Sequence, residues 1–329
     1  MGVSLESETG VIVDRGEKAP GKATCARVPL IFNFHFQLAC LSGILLLVDV
    51  VGCRLTHIVV PNLGGIAIAL VLVVAGIQAI PIYWHSKGRT ELRDAALTLP
   101  WFALFVVLLP YPMDVMTKLG SPLPLEDASF ARIDTWLGVS VPAIVHWAAG
   151  NMIGHWITSS YTLLVPLLYL SLFLPALTGK VERARQFILA HFLFILSGLP
   201  FILLLPAVGP WFGFHTVAPY PAQIQTQADL FSLRQSGQFG PYLHHFCGVV
   251  CFPSGHVVGA IVSGYTLFIY RYIRIPVVVL SAAIILSTMT SGWHYFFDVL
   301  GGVAMATLII LFVRWLSTKW QSGVPEHAV

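Results

Sequence analysis

The chain has 329 residues, of which 57% are hydrophobic and only 10% are charged. Soluble globular domains usually carry about 25% charged residues. The composition therefore excludes an ordinary soluble domain and predicts a polytopic membrane protein. The net charge of +3 is small and follows the membrane topology, so no nucleic-acid partner is expected.

Apolar runs of about 20 residues, the length that crosses a bilayer, follow a polar N-terminal segment. Residues 1–28 lack an apolar stretch and are expected to form a cytoplasmic tail rather than a signal peptide. The sequence predicts an all-α polytopic membrane protein with about eight transmembrane helices. The candidate spans are 29–51, 59–84, 95–113, 156–178, 186–208, 251–271, 275–292 and 296–317.

Positive charge predicts the orientation of these spans. Most of the 18 Lys and Arg residues fall in the N-terminal tail, the even-numbered loops and the C-terminal end. Since cytoplasmic loops carry the excess of Lys and Arg, we expect both termini in the cytoplasm and the odd-numbered loops outside. We expect an integral protein of a bacterial inner membrane, although a eukaryotic endomembrane is also compatible with the sequence.

The spans divide the chain into five predicted parts. The stretch 114–155 mixes aromatic and polar residues, which indicates an extracytoplasmic interfacial segment; a cap facing the substrate is the alternative. The complete division is a tail at 1–28, N-terminal transmembrane helices at 29–113, the interfacial segment at 114–155, a catalytic transmembrane core at 156–320 and a cytoplasmic tail at 321–329.

A short motif, Pro253-Ser254-Gly255-His256, lies at the start of the sixth candidate span. A turn that opens a helix leaves backbone N–H groups unpaired, which makes a ready site for a phosphate. Ser254 adds a hydroxyl group and His256 an imidazole for acid–base chemistry. The alternative for Ser254 is an ordinary helix cap.

A second motif, His294-Tyr295-Phe296-Phe297-Asp298, opens the last candidate span. If this stretch is helical, His294 and Asp298 share one face. The carboxylate can then hold one ring nitrogen, leaving the other as an oriented nucleophile. The alternative is a structural hydrogen-bonded pair. The predicted topology places both motifs at the same, outer face of the membrane, which would be periplasmic or lumenal.

Together the motifs resemble the type 2 phosphatidic acid phosphatase superfamily, whose members carry Pro-Ser-Gly-His and a later His-x-x-x-Asp. The wider stretches 249–256 and 294–298 resemble the inositol-phosphorylceramide synthase (inositolphosphotransferase) branch. The resemblance covers roughly the last 130 residues. It implies a phosphatidic-acid-phosphatase-like core formed by the last six or so helices, and phosphoryl transfer through a phosphohistidine.

The chain departs from the phosphatase branch in its cations. That branch has Lys-x6-Arg-Pro before Pro-Ser-Gly-His and an Arg six residues before the nucleophile. Here the stretch 205–211 carries no cation, and Thr288 stands six residues before His294. A phosphate in a low-dielectric site needs compensating charge. The candidates in the fifth loop are Arg234, the first choice, and His245, with His215 and His244 beside them.

Because a phosphodiester carries one negative charge, it needs fewer cations than a phosphomonoester. The sequence therefore favours a headgroup phosphotransferase, with a lipid or isoprenoid phosphate phosphatase as the alternative. A non-catalytic or transport protein with this fold is the alternative from another class. We expect a lipid phosphoester substrate and, for transfer, a lipid-hydroxyl acceptor.

No metal cofactor is required by this chemistry, so the reaction is expected to be metal-independent. The five cysteines form neither a CxxC pair nor a spacing typical of metal ligands, and no disulfide framework or zinc site is predicted.

Overall fold

A computed structural model describes residues 33–58, 90–236 and 252–321. Every regular element in these ranges is helical. The α-helices are α1 Phe34–Thr56, α2 Thr90–Leu108, α3 Pro110–Leu119, α4 Asp127–Trp136, α5 Val141–Ala149, α6 Met152–Ser159, α7 Leu164–Leu177, α8 Val181–Leu204, α9 Pro210–Gly213, α10 Pro221–Ser236, α11 Gly255–Leu267, α12 Arg274–Thr290 and α13 Phe296–Gln321; a 3-10 turn, Ser160–Leu163, joins α6 to α7.

Five helical stretches of the described residues are long and apolar enough to cross a membrane. They are Phe34–Thr56, Glu91–Leu119, Met152–Leu177, Val181–Leu204 and Phe296–Lys319. The predicted all-α membrane fold is therefore confirmed. The apolar helices α11 and α12 are shorter, with 13 and 17 residues. The candidate span 59–84 lies outside the described residues, so the number of about eight stays a prediction.

The helix boundaries differ from the predicted spans where local capping decides them. The Asn33 side chain accepts a hydrogen bond from the Phe36 N–H at 3.2 Å and starts α1 there, several residues inside the candidate span 29–51. The third span continues to Leu119 because a new helix, α3, begins at Pro110; proline is tolerated in a first turn, where its missing N–H is not needed. The predicted segment 114–155 thus begins inside a helix.

Helix α8 lies at the centre of the bundle. In its most apolar 18-residue stretch, 56% is buried inside the protein, whereas the corresponding stretches of the four other spans are 33–39% buried. Phe187, Phe192 and Ile195 of α8 pack in one core cluster with side chains of α1, α2, α11 and α13. Between transmembrane helices such side-chain packing supplies much of the association energy. The helices that carry the two motifs are therefore fixed against a common centre.

The start of α11 touches α13 directly. The Ser254 N–H donates to the backbone oxygen of Asp298 at 3.2 Å. A Cβ atom on Gly302 would lie 2.9 Å from the Ser254 oxygen and 2.8 Å from the Val257 Cβ, so only glycine permits this approach. The contact brings the sequence after Pro253 beside the first turn of α13.

Exposed tryptophans mark the helices α4, α5 and α6. Trp136 is 84% exposed, Trp147 51% and Trp156 73%. Because tryptophan is enriched at membrane–water boundaries, these rings favour an interfacial position for this part of the chain. The division into a tail, an interfacial segment and a core stays a prediction.

Candidate active site

The first motif forms the N-terminus of α11. Ser254 has an extended backbone, and its Oγ accepts a hydrogen bond from the Val257 N–H at 3.4 Å. Ser254 is fully buried. Gly255 and His256 occupy the first turn, where N–H groups have no helical acceptor. A Cβ on Gly255 would meet only the Phe194 ring, at an ordinary 3.5 Å. The turn therefore offers both a helix cap and backbone donors for an anion.

The second motif does not lie on one helix, because α13 begins at Phe296. His294 belongs to the turn after α12, and its backbone N–H donates to the Thr288 oxygen at 3.1 Å. Gly292 has φ +73° in this turn, a conformation that favours glycine. The turn nevertheless aims Nδ1 of His294 at Oδ2 of Asp298, 3.5 Å away.

Asp298 is buried and shapes the turn as well as facing the histidine. Its Oδ2 accepts the Tyr295 N–H at 2.8 Å, in the manner of an acidic side chain that reaches back to the N-cap. The same oxygen faces His294 at a distance longer than a hydrogen bond. Catalytic hydrogen bonds are often long in the absence of substrate. One carboxylate therefore caps the helix and orients the imidazole.

The structure brings the two histidines together. The ring centroids of His256 and His294 are 6.2 Å apart, with the ring planes tilted by 53°. A nucleophile must lie about 3–3.5 Å from the atom it attacks, and a general acid about 2.6–3.2 Å from the leaving oxygen. The two imidazoles are therefore close enough to act on the same small group.

Two buried carboxylates of α4 hold the second motif in place. The Asp134 carboxylate accepts the N–H groups of Phe296 and Phe297 at 2.8 and 2.9 Å. These are the first two residues of α13, whose N–H groups lack helical acceptors. Burial raises the pKa of Asp134 to about 6, while the two backbone N–H groups act to lower it.

Asp127 holds a second backbone segment, the one that follows α8, at the site. Its carboxylate accepts the N–H groups of Val208 and Gly209 at 2.9–3.0 Å. The Tyr295 hydroxyl lies 2.9 Å from Asp127 Oδ1 and 2.8 Å from the Gly209 oxygen. Burial raises the pKa of Asp127, and the two backbone N–H groups act against this rise. Asp127 thereby ties the residues after α8 to the residue that follows His294.

The turn before His294 is also held from α10. The buried Gln223 side chain donates to the Ser291 oxygen at 3.0 Å. The rings of Trp211 and Trp293 meet edge to face, with centroids 5.8 Å apart. Gln223 of α10 and Trp211 of α9 thus both contact this turn.

The predicted substrate-binding residues have different positions. Ser254 and Gly255 lie at the helix start that carries His256. The Arg234 guanidinium, at the end of α10, donates to the backbone oxygens of Ser121 and Leu123, between α3 and α4. His245 lies outside the described residues. The structure thus gives Arg234 a structural contact, and the phosphate-binding roles of Arg234 and His245 stay predictions.

Sequence reasoning missed four residues that shape this site: Asp127, Asp134, Tyr161 and Gln223. One signal was available for the acids. Asp127 and Asp134 are seven residues apart in a ten-residue helix, so they share one face with the buried Phe130 and Ala131. Two carboxylates on an apolar face need partners, although the sequence does not say which ones.

Replacing Asp134 with alanine should destabilise the protein and the site together. The change leaves the N–H groups of Phe296 and Phe297 without their acceptor, and losing a helix cap costs about 0.5–2 kcal/mol. Thermal unfolding in detergent should show a lower midpoint for Asp134→Ala and a smaller loss for Asp134→Asn, which keeps one acceptor oxygen. Asp229→Ala, which loses only an exposed bond to Gln225, is the control. Equal midpoints for Asp134→Ala and the control would contradict the capping role.

Metal ligands are not grouped in the ranges that the structure describes. Within them, no set of three or more His, Cys, Asp or Glu side chains is arranged to hold a metal ion. In the predicted phosphohistidine reaction, the nucleophile, the general acid and the N–H groups that bind the phosphate all belong to the protein. Metal independence stays a prediction.

A family model described as the PAP2 superfamily matches residues 128–312. This range is more than half of the chain and contains both motifs and all of α4 except its first residue, Asp127. No curated protein and no solved structure matches the chain.

Proposed function

Because the chain belongs to the PAP2 superfamily of membrane phosphatases and phosphotransferases, we propose that it transfers the phosphorylated headgroup of a lipid through a phosphohistidine. The observation that carries the proposal is the pairing of His256 and His294, 6.2 Å apart between ring centroids, with Asp298 behind His294. This pairing offers a nucleophile and a general acid on either side of one phosphoryl group.

In the first step Nε2 of His294 attacks phosphorus, and the bond from phosphorus to the leaving oxygen breaks. His256 gives its proton to that oxygen, which leaves as an alcohol. The Asp298 carboxylate stabilises the positive charge that develops on the imidazole of His294. The Ser254 hydroxyl and the N–H groups of Gly255 and His256 hold the phosphoryl oxygens.

In the second step His256, now neutral, takes the proton of an acceptor hydroxyl group. The acceptor oxygen bonds to phosphorus, the nitrogen–phosphorus bond breaks, and its electron pair returns to His294. His256 ends the cycle protonated, so protons and charges balance. The acceptor of the proposed reaction is a lipid hydroxyl.

The scarcity of cations supports a diester donor. Three cations of the predicted outer loops have contacts elsewhere: Lys118 donates to the Arg234 oxygen, Arg132 to Ser129, and Arg234 to Ser121 and Leu123. A singly charged phosphodiester requires less compensation in a low-dielectric site than a doubly charged monoester.

The proposal includes the inositol-phosphorylceramide-synthase-like branch as the model for donor and acceptor. It also includes a position for the site on the periplasmic or lumenal face, both termini in the cytoplasm, and a reaction without metal. The distribution of Lys and Arg supports this orientation. The residues named in the two steps support a reaction without metal.

The test uses purified protein in detergent with EDTA. The donors are a phosphatidylinositol-type diester and a phosphatidic-acid-type monoester, each with and without a lipid alcohol. The proposal predicts headgroup transfer from the diester that needs the lipid alcohol, continues in EDTA and is lost in His294→Ala.

Three other outcomes would overturn parts of the proposal. Inorganic phosphate released from the monoester alone would identify a phosphatase. Activity that is lost in EDTA and restored by a divalent cation would contradict metal independence. No turnover of either donor, with unaltered lipid distribution in His294→Ala cells, would favour a non-catalytic or transport role.

A further inference from the structure

The two histidines of the site are oriented by different kinds of contact. His294 faces the Asp298 carboxylate. Within the described part of the chain, no hydrogen bond reaches the His256 ring. Its ring contacts are aromatic: Tyr161 stacks on it, with centroids 3.9 Å apart and planes 19° from parallel. We infer that Tyr161 is the positioning residue of the general acid–base His256, an inference that rests on the proposed function.

Stacking restricts the torsion that matters for proton transfer. The last side-chain torsion of histidine is broad and has no sharp staggered wells. A parallel ring at 3.9 Å stops the imidazole of His256 from turning about this torsion, because a turned ring would collide with Tyr161. The ring nitrogens then keep a fixed direction toward the gap between the two histidines.

Stacking also suits a group that must both give and take a proton. A carboxylate would occupy one ring nitrogen and fix the tautomer. A phenol ring covers only the face of the imidazole and leaves both nitrogens at its edge accessible. When His256 is protonated, its charge lies over an aromatic face, which is a favourable cation–π arrangement. His256 can therefore act as an acid in the first step and as a base in the second.

The chain around Tyr161 is built to hold this ring. Tyr161 lies in the 3-10 turn between α6 and α7. Such a 3-10 stretch between two α-helical segments is often found at functional positions. The Ser160 hydroxyl donates to the Ile157 oxygen at 2.6 Å. The Thr158 hydroxyl bonds to Thr290 at 2.8 Å, at the end of the helix that leads to His294. The helix that leads into the turn is thereby fixed to the end of α12.

Trp293 extends the same aromatic arrangement. Its ring is nearly parallel to that of Tyr161, at 16°, with centroids 6.3 Å apart. The residue before the nucleophile and the residue that orients the acid are thus in one aromatic set. Because the His256 ring is closer to Tyr161 than the Trp293 ring is, a substitution of Tyr161 would displace His256 most.

Changing the leaving group distinguishes a role of Tyr161 in positioning His256 from a purely structural role. Two phosphodiester donors share one headgroup and differ in the alcohol that leaves, either an alkyl alcohol or 4-nitrophenol. The alkyl alcohol needs a proton from His256, whereas nitrophenolate leaves without one. The measured quantity is the single-turnover rate of phosphohistidine formation, so that the second step does not contribute.

Tyr161→Leu should slow the reaction of the alkyl donor by about 10- to 100-fold, since misplacing a catalytic group by about 1 Å can cost about 10²-fold. The nitrophenyl donor should react at nearly the wild-type rate. Tyr161→Phe keeps the ring, so both donors should react at nearly the wild-type rate. Tyr169→Leu, which removes a 51% exposed tyrosine of α7, should change neither.

The ratio of the two rates protects the test against poor folding, because a smaller folded fraction lowers both rates equally. Equal slowing of both donors, or no slowing of either, in Tyr161→Leu would overturn the inference. His256→Ala tests the underlying proposal separately. If that variant also lacks a leaving-group effect, His256 is not the general acid, and both the proposed mechanism and the role of Tyr161 fail.

Discussion

Replacing His294 with alanine should abolish turnover, with a loss on the order of 10⁴-fold or more, as when the nucleophile of a covalent mechanism is removed. The imidazole is the group that bonds to phosphorus in the proposed mechanism. The contact that shapes its turn, from the His294 N–H to the Thr288 oxygen, belongs to the backbone and survives the change. Headgroup transfer in detergent measures the effect.

The matched control for this prediction is His155→Ala, which removes an exposed histidine of α6. We expect the control to retain wild-type turnover, and both variants to unfold near the wild-type temperature. Residual turnover of His294→Ala within about tenfold of wild type would contradict a covalent role for His294.

Asp298→Asn should lower turnover by about 10²–10⁴-fold, because the neutral amide no longer stabilises the charged imidazole of His294. Asparagine can still accept the Tyr295 N–H that Asp298 now receives at 2.8 Å. The helix cap is therefore preserved and the variant removes mainly the charge. Steady-state transfer rates and the unfolding midpoint separate these two effects.

The double variant sharpens this second prediction. Groups that act as a unit in one step are strongly non-additive, so His294→Ala with Asp298→Asn should be no slower than His294→Ala alone. Asp298→Ala, which also loses the cap, should unfold at a lower temperature than Asp298→Asn. Losses that multiply in the double variant would mean that Asp298 acts independently of His294.

The sequence predicted the parts of the site that local patterns encode. The superfamily resemblance of the two motifs is confirmed by the matching family model, and the helix opens directly after Ser254 as expected. The distribution of Lys and Arg predicts that both motifs lie at the same face of the membrane, and the structure brings His256 and His294 together. These features depend on short stretches whose spacing is visible in the chain.

One local prediction rested on a wrong premise. His294 and Asp298 would share a helix face only if their stretch were helical, and the helix starts at Phe296. Their contact forms because Asp298 reaches back toward the N-cap position at Tyr295. A four-residue spacing fits a capping turn as well as a helical turn, so the pattern alone does not separate the two.

The supporting residues could not be predicted because their partners are distant in the chain. Asp134 meets Phe296, Gln223 meets Ser291, and Tyr161 meets His256. Each of these contacts depends on how the helices are arranged around α8. Arg234 illustrates the converse: its charge and predicted loop suggested a phosphate ligand, whereas its guanidinium binds backbone oxygens next to α3.

The proposed mechanism requires that the phosphoryl group bonds covalently to His294, and trapping this phosphohistidine is the most direct test. Wild-type protein is mixed with a donor labelled in its phosphorylated headgroup, without acceptor, and quenched in alkali, where phosphohistidine is stable. The proposed mechanism predicts an acid-labile label on His294 in the peptide map, absent from His294→Ala and discharged when the lipid alcohol is added. Continued turnover with no label on His294, or a label on another residue, would contradict it.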